Sequence, residues 1–235
     1  MNRSVHVELK LNLVRIREMI QRALYVAGRN QDDVTLIGVT KTIDVSTIKH
    51  AVNLGLTDLG ENRVQELVTK YNSLKHENLR WHMIGRLQRN KVKYIVDKVS
   101  LIHSLDRLSL AKEINKEASK INREIPVLIQ VNPANEKTKN GLPIEEVAPF
   151  IETIYNLKYI KVKGLMLIAP LTNDPETIRP YFRITSQLFN SIKEYNYPHV
   201  DMKYLSMGMT NDFVTAIEEG SNMVRIGTGI FGKRE

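Results

Sequence analysis

The stretch LIGVTK at residues 36–41 predicts a short buried β-strand that ends at a lysine, because it is apolar and carries the β-branched Ile37 and Val39. A helix follows, with Asp44 as its predicted N-cap and Gly55 at its end. A partly desolvated lysine amine is a usable nucleophile toward an aldehyde or ketone, so Lys41 is a candidate site residue. The alternative is a lysine that ends a strand and points into water.

The same alternation of strand and helix continues along the whole chain. Strands are predicted at residues 34–40, 57–60, 80–84, 100–104, 126–132, 160–168, 203–206 and 222–227. Helices are predicted at residues 7–27, 61–74, 88–96 and 211–219, and from helix starts at Asp44, Asp106, Pro143 and Asp174. Eight such units favour an α/β fold: a single-domain (β/α)8 TIM barrel over residues 1–235 with an extra N-terminal helix. A doubly wound open sheet is the alternative.

Composition narrows the class of protein. The chain is 42% hydrophobic and 26% charged, which is typical of a soluble globular protein. It contains no cysteine, so disulfides and thiolate metal sites are excluded, and its six histidines show no paired metal-binding spacing. The sequence has no secretory leader and no apolar run of membrane-spanning length, so we expect a cytoplasmic protein.

The net charge of +8 indicates an anionic partner, either nucleic acid or a small anionic ligand. Basic residues are spread along the whole chain, which favours the small ligand. One basic run, with Arg86, Arg89, Lys91 and Lys93, lies on a predicted amphipathic helix without interleaved aromatic residues. We interpret it as a solvated face and expect no binding of nucleic acid.

In a TIM barrel, ligands bind at the carboxyl ends of the strands, and phosphates often bind in the loops after strands seven and eight. These loops, residues 206–211 and 227–232, contain glycines and hydroxyl side chains such as Ser206 and Thr228. Backbone N–H groups of glycines and side-chain hydroxyls suit a phosphate. The alternative is that the glycines only make tight turns.

Side chains alternate along strand eight, so Arg225 is predicted to face the barrel interior while Val224 and Ile226 face the helices. A buried arginine needs an anion or an acceptor atom as its partner. The alternative is an ion pair with Glu61. Further polar residues lie at other strand ends, namely Asn62, His82, His103, Ser104 and Asn132. An amine, a phosphate cradle and an inward arginine together suit an aldehyde that bears a phosphate.

Several stretches, taken in order, resemble a known family. They are VTK at 39–41, GEN at 60–62, WHMIG at 81–85, HSLDR at 103–107, QVN at 130–132, GLM at 164–166, LSMGM at 205–209 and VRIGTGIFG at 224–232. The sequence resembles the pyridoxal 5′-phosphate (PLP) homeostasis proteins, single-domain relatives of the alanine racemase barrel. The likeness covers nearly the whole chain. One small departure is Thr210, which stands where many relatives have serine.

The resemblance implies a PLP cofactor bound by Lys41, Asn62, Ser206, Arg225, Gly227 and Thr228. Lys41 would form a Schiff base with it. Ser206, Gly227 and Thr228 would hold the phosphate. Arg225 would face the pyridine nitrogen, and Asn62 would lie beside the cofactor.

The resemblance also implies a role in intracellular PLP homeostasis. An arginine at the ring nitrogen disfavours its protonation and makes the ring a poorer electron sink. Racemisation needs two acid/base groups, and we expect the second to be missing because the chain ends at Glu235, directly after the barrel. We therefore expect a non-catalytic, monomeric carrier that serves PLP-dependent apoenzymes and binds no membrane or metal. The alternatives are a PLP-dependent amino-acid racemase and, more remotely, an aldolase.

Overall fold

The computed structural model describes residues 3–30, 33–75, 77–136, 139–170, 172, 174–195, 197 and 199–232. Within these residues, eight parallel strands follow one another in chain order around a closed barrel. They are β1 (Thr35–Val39), β2 (Asp58–Glu61), β3 (Arg80–Met83), β4 (Leu101–Leu105), β5 (Ile125–Val131), β6 (Ile160–Leu167), β7 (Val200–Ser206) and β8 (Met223–Ile226). Closure comes from pairing of β1 with β8, where Leu36 lies opposite Val224. The predicted TIM barrel is confirmed, and the open sheet is excluded.

Helices cover the outside of the barrel. They are α1 (Arg3–Val26), α2 (Val45–Asn53), α3 (Val64–Leu74), α4 (Leu108–Lys120), α5 (Val147–Ile154), α6 (Arg179–Glu194), α7 (Phe213–Glu218) and α8 (Thr228–Phe231). The extra helix α1 buries the predicted apolar positions Leu9, Leu13, Ile16, Ile20 and Leu24, and it packs against α2, α7 and α8. It therefore covers the seam where β8 meets β1.

The apolar core has two parts because strand side chains alternate between the two faces of the barrel wall. Ile37, Leu101, Leu128, Met166 and Met223 pack together inside the barrel. The larger cluster lies between the strands and the helices and includes Val224 and Ile226. The predicted facing of strand eight is thus confirmed for these side chains.

Two local predictions were wrong. The helix predicted at 88–96 is instead a 3-10 helix over Arg89–Tyr94, where N–H groups donate to the carbonyl three residues back, as from Lys91 to Gln88 and from Ile95 to Val92. Asp106 does not cap α4: the N-cap is Arg107, and the Asp106 carboxylate is engaged in an ion pair with the Arg107 guanidinium. Asp44, by contrast, caps α2 as predicted by accepting a hydrogen bond from the Thr47 backbone N–H.

Further 3-10 turns, Ile144–Glu146 and Pro175–Ile178, lead into α5 and α6, so those two helices begin later than predicted. A short helix also follows β8, where none was predicted. No helix among the described residues has the length and apolar character needed to cross a membrane. The same part of the chain contains no cluster of three or more metal-ligating side chains.

Candidate functional site

A cavity of about 420 Å³ opens at the carboxyl ends of β1, β6, β7 and β8. Four of the predicted site residues line it: Lys41, Arg225, Gly227 and Thr228. Val39 of β1 also lines it, and the remaining lining comes from the segments that follow β5, β6 and β7, with Lys139, Ile168, Ala169, Pro170, Thr172, Pro175, Ile178, Met209, Thr210, Asn211 and Asp212. The cavity therefore lies where ligands bind in TIM barrels.

Lys41 follows β1 directly and reaches the cavity from the turn before α2. Its side chain is half-buried. No hydrogen bond or ion pair within the described part of the chain engages its amine. The Lys41 side chain shares this cavity with Arg225 and with the hydroxyls of Thr172, Thr210 and Thr228.

Arg225 points into the barrel below the cavity and is 4% exposed. Its Nη1 donates to the Ser206 backbone oxygen (2.8 Å) and Oγ (2.6 Å), and its Nη2 donates to the Leu167 oxygen (2.8 Å). Burial lowers the pKa of Arg225 to about 10, opposed by the charge of Asp212. The guanidinium thus stays charged at neutral pH. Its partners are acceptor atoms, and the alternative pair with Glu61 does not form, since Glu61 pairs with Lys70 at 2.7 Å.

A line of hydrogen bonds runs from Arg225 through the barrel interior. Ser206 Oγ lies 3.1 Å from His103 Nδ1, and His103 Nε2 lies 3.0 Å from His82 Nδ1. His82 Nε2 lies 3.0 Å from Asp58 Oδ1. We call these residues the barrel relay: Arg225, Ser206, His103, His82 and Asp58. It joins the cavity to the amino-terminal mouth of the barrel, where Arg80 pairs with Asp58.

The chemistry of its two ends fixes the outer hydrogen bonds of the barrel relay. A guanidinium only donates and a carboxylate only accepts, so Arg225 donates to Ser206 and His82 donates to Asp58. Burial, together with the charges of the neighbouring His82 and Arg225, holds the pKa of His103 well below its usual value. A neutral His103 donates through one ring nitrogen and accepts through the other.

The loops after β7 and β8 meet at two hydroxyls. Thr228 Oγ1 donates to Thr210 Oγ1 at 3.1 Å, and the backbone N–H of Gly229 donates to the same oxygen at 3.2 Å. A side chain at Gly229 would crowd Ile226 and Thr210, at 3.0 and 3.2 Å from a Cβ. Glycine thus lets backbone N–H groups come close to the hydroxyl pair, an arrangement that suits an anion such as phosphate.

Two predicted site residues do not line the cavity. Ser206 is fully buried, with its hydroxyl engaged by Arg225 and His103. Asn62 follows β2 and is half-buried, with its backbone against the loop after β3. A Cβ at Gly85 would lie 2.3 Å from the Asn62 oxygen, so only glycine permits this approach. Ser206 contacts the cavity through Arg225, whereas Asn62 is not part of the cavity lining.

Sequence reasoning gave no role to two charged residues that line the cavity, Lys139 and Asp212. Burial raises the pKa of Asp212, against a hydrogen bond from the Met209 N–H and the charge of Arg225. Lys139 follows the stretch at 130–132 and Asp212 follows the stretch at 205–209, both of which carry the family resemblance. Their positions on the loops after β5 and β7 were the available signal.

Comparison with known proteins agrees with this fold. The profile of the alanine racemase N-terminal domain family matches residues 11–235. A pyridoxal phosphate homeostasis protein from Aquifex aeolicus is 49% identical over 224 residues, which cover 95% of this chain and 97% of the relative. This chain belongs to the pyridoxal phosphate homeostasis protein family. Another family member, from Escherichia coli K12, is 37% identical over 95% of this chain and 96% of its own.

Two solved structures share this fold over nearly the whole chain. A protein of unknown function from Bifidobacterium adolescentis superposes with a TM-score of 0.94 at 32% identity, covering 98% of this chain and 97% of the other. PipY from Synechococcus elongatus PCC7942, solved with PLP bound, has a TM-score of 0.80 at 29% identity, covering 91% of this chain and all of PipY. Both structures thus share the barrel fold over nearly the whole of this chain.

Proposed function

We propose that this chain binds PLP reversibly, as a Schiff base on Lys41, and serves as a non-catalytic carrier or buffer in intracellular PLP homeostasis. The observation that carries the proposal is the untied Lys41 amine, which shares one cavity with Arg225, Gly227 and Thr228. The names of the relatives and the PLP bound in PipY support it.

The residues fit the cofactor's three functional parts. PLP carries an aldehyde, a phosphate and a pyridine ring, and a cavity of about 420 Å³ is within the range of small-molecule sites. The Lys41 amine reacts with the aldehyde and releases water. Gly227 and Thr228 hold the phosphate, joined by the Thr210 hydroxyl.

Three further residues act around the ring. Arg225 would face the pyridine nitrogen, and Asn62 would lie beside the ring. Ser206 remains a cofactor-site residue in this proposal, but it acts through Arg225, because its buried hydroxyl accepts from that guanidinium.

The proposed carrier role is supported by the positive charge of Arg225 and by the acid/base groups in the cavity. When bound, PLP can stabilise a carbanion at the substrate carbon, but a cation at the ring nitrogen weakens that ability. A racemase also needs acid/base groups on opposite faces of that carbon. Asp212 is the carboxyl group in the cavity lining, and its Oδ1 already accepts the Met209 N–H at 2.5 Å. The family name likewise describes homeostasis rather than a reaction.

Absorbance spectroscopy tests the cofactor site. Protein mixed with PLP should develop a visible Schiff-base band, and borohydride should attach the cofactor to the peptide that contains Lys41. Lys139 is the matched control, because it lines the same cavity: Lys139→Ala should keep the band and Lys41→Ala should lose it. Attachment at Lys139, or at any peptide without Lys41, contradicts the assignment.

Two further measurements test the carrier role. Loaded protein should pass PLP to a PLP-dependent apoenzyme and restore its activity. The same protein should not exchange the α-protons of amino acids in D₂O. Rapid stereochemical turnover of an amino acid would establish the racemase alternative instead. We also propose that the chain works as a single-domain cytoplasmic monomer. Light scattering of the native protein measures its mass in solution and so tests whether it is a monomer.

A further inference from the structure

The backbone directly after Lys41 has an unusual conformation. Thr42, the next residue, has φ = +64°. A β-branched residue rarely adopts a left-handed conformation, since its side chain crowds the backbone there. Such a conformation persists only where surrounding groups hold it, and it is found mainly at functional sites. Something therefore has to hold the turn that presents Lys41.

Two side chains from α3 contact this turn on both sides of Lys41. The Thr42 N–H donates to Glu66 Oε2 at 2.8 Å. Lys70 Nζ donates to the Thr40 backbone oxygen at 2.6 Å. Glu66 and Lys70 lie one helical turn apart and are 3.3 Å from each other. The residues before and after Lys41 are thus tied to one rigid helix.

The inner end of this arrangement is a buried ion pair. Lys70 Nζ donates to Glu61 Oε1 at 2.7 Å, and Thr40 Oγ1 donates to the same oxygen at 2.6 Å. The three N–H donors of Lys70 are therefore filled by Thr40, Glu61 and Glu66. The side chains of Glu61 and Lys70 are 0% and 8% exposed.

Such an ion pair adds little to the stability of the fold. The free energy of moving two charges out of water offsets much of their mutual attraction, and an apolar pair of similar size often stabilises a protein equally well. Burial raises the pKa of Glu61, against the hydrogen bonds from Lys70 and Thr40. Its other oxygen, Oε2, is buried with no hydrogen-bond partner in the described part of the chain. These charges instead hold the backbone geometry of residues 40–42 through the contacts to Thr40 and Thr42.

We propose that Glu61, Glu66 and Lys70, which we call the lysine clamp, are positioning residues that hold the strained turn at residues 40–42 and so direct the Lys41 amine into the cavity. The clamp acts through the backbone, and its three side chains do not line the cavity. The clamp's effect on Schiff-base formation rests on the proposed function, whereas its hold on the backbone does not. The ligand class is an aldehyde that bears a phosphate, as for the site itself.

The test uses Glu66→Ala in the full chain. Lys70→Met would leave Glu61 charged and unpaired inside the protein and could prevent folding, whereas Glu66 is 25% exposed. Without a ligand, the Thr42 amide should exchange with D₂O about tenfold faster, because it loses its acceptor. Schiff-base formation with PLP should slow by about tenfold or more, since a small misplacement of a nucleophile is costly.

Two variants serve as controls. Glu66→Gln keeps a carbonyl acceptor for the Thr42 N–H and should restore the wild-type exchange and Schiff-base rates within about twofold. Glu113→Ala removes an equally exposed glutamate, 28% exposed, that also lies 3.3 Å from a lysine, but on α4 away from Lys41. It should leave both rates unchanged. A thermal melt establishes that each variant is folded.

The outcomes separate the clamp from the cofactor site. If the Thr42 amide of Glu66→Ala exchanges with D₂O at the wild-type rate, the lysine clamp does not hold the turn. If exchange is faster but the rate of Schiff-base formation is unchanged, the lysine clamp does not position Lys41. If the wild-type protein forms no Schiff base at Lys41, the proposed function fails, and the exchange measurement still decides whether the clamp holds the turn.

Discussion

Replacing Asp58 should weaken the fold in a manner that depends on pH. Asp58 is 4% exposed and ends the barrel relay at the amino-terminal mouth. Its carboxylate accepts from His82 Nε2 at 3.0 Å and from Arg80 Nε and Nη2 at 2.7 and 2.5 Å. Asparagine has the same shape but no charge, and one of its oxygen positions becomes a donor that faces Arg80. Asp58→Asn therefore removes the attraction that the carboxylate makes.

The pKa of Asp58 sets the size of the expected loss of folding free energy. Burial works to raise this pKa, but hydrogen bonds and charge from His82 and Arg80 outweigh burial and lower it from 3.8 to about 2. A pKa difference of that size corresponds to about 2 kcal/mol of folding free energy. Because the folded-state pKa is the lower one, this stabilisation is fully present above pH 3.8 and is lost as the pH falls through about 2.

Urea unfolding measures this effect. At pH 7, Asp58→Asn should lower the free energy of unfolding by about 2 kcal/mol, and at pH 3 by roughly half as much. Asp201→Asn is the matched control, since Asp201 also forms an ion pair, with Lys163, but is 55% exposed, and such surface pairs are worth less than about 1 kcal/mol. An equal loss at both pH values, or a loss no larger than the control's, would refute the reasoning.

Three other substitutions have distinct expected outcomes. Lys41→Ala should abolish the Schiff-base band yet change the free energy of unfolding by less than about 0.5 kcal/mol, since its side chain has no partner among the described residues; wholesale unfolding in a circular-dichroism melt contradicts this. Arg225→Ala should shift the absorbance of bound PLP more than it weakens the binding of phosphate. It should also cost about 1–3 kcal/mol, because Ser206 and Leu167 lose a buried donor, and an unchanged spectrum would show that Arg225 does not face the ring. Thr42→Gly should stabilise the protein by about 0.5–1 kcal/mol in urea unfolding, because glycine adopts φ = +64° without crowding; a loss of stability would contradict strain at this turn.

Much of the barrel was predictable because its signals are local. Asp44 caps α2 through its own side chain, and the apolar period of α1 is visible without knowledge of any partner. The facing of strand eight followed from simple alternation, which held for Met223, Val224 and Ile226. The errors were also local: Asp106 looks like a cap, but the neighbouring Arg107 takes its carboxylate.

The candidate site was only partly predictable. Lys41, Gly227 and Thr228 could be proposed from strand ends, and they do line one cavity. Ser206 and Thr228 carry the same kind of hydroxyl in similar loops, and sequence could not tell that one is buried under Arg225 while the other reaches the cavity. That difference depends on where each strand ends relative to its neighbours.

The order of strands and helices, the apolar faces they bury and the lysine at the end of β1 can be predicted from the amino-acid sequence. They are predictable because periodicity, caps and turns act between residues a few positions apart. The contact between Lys70 and Thr40, 30 positions apart, and the contact between Ser206 and His103, 103 positions apart, depend on the tertiary structure. The first forms because α3 packs against β2, the neighbour of β1, and the second because closure of the barrel brings inward side chains of distant strands together.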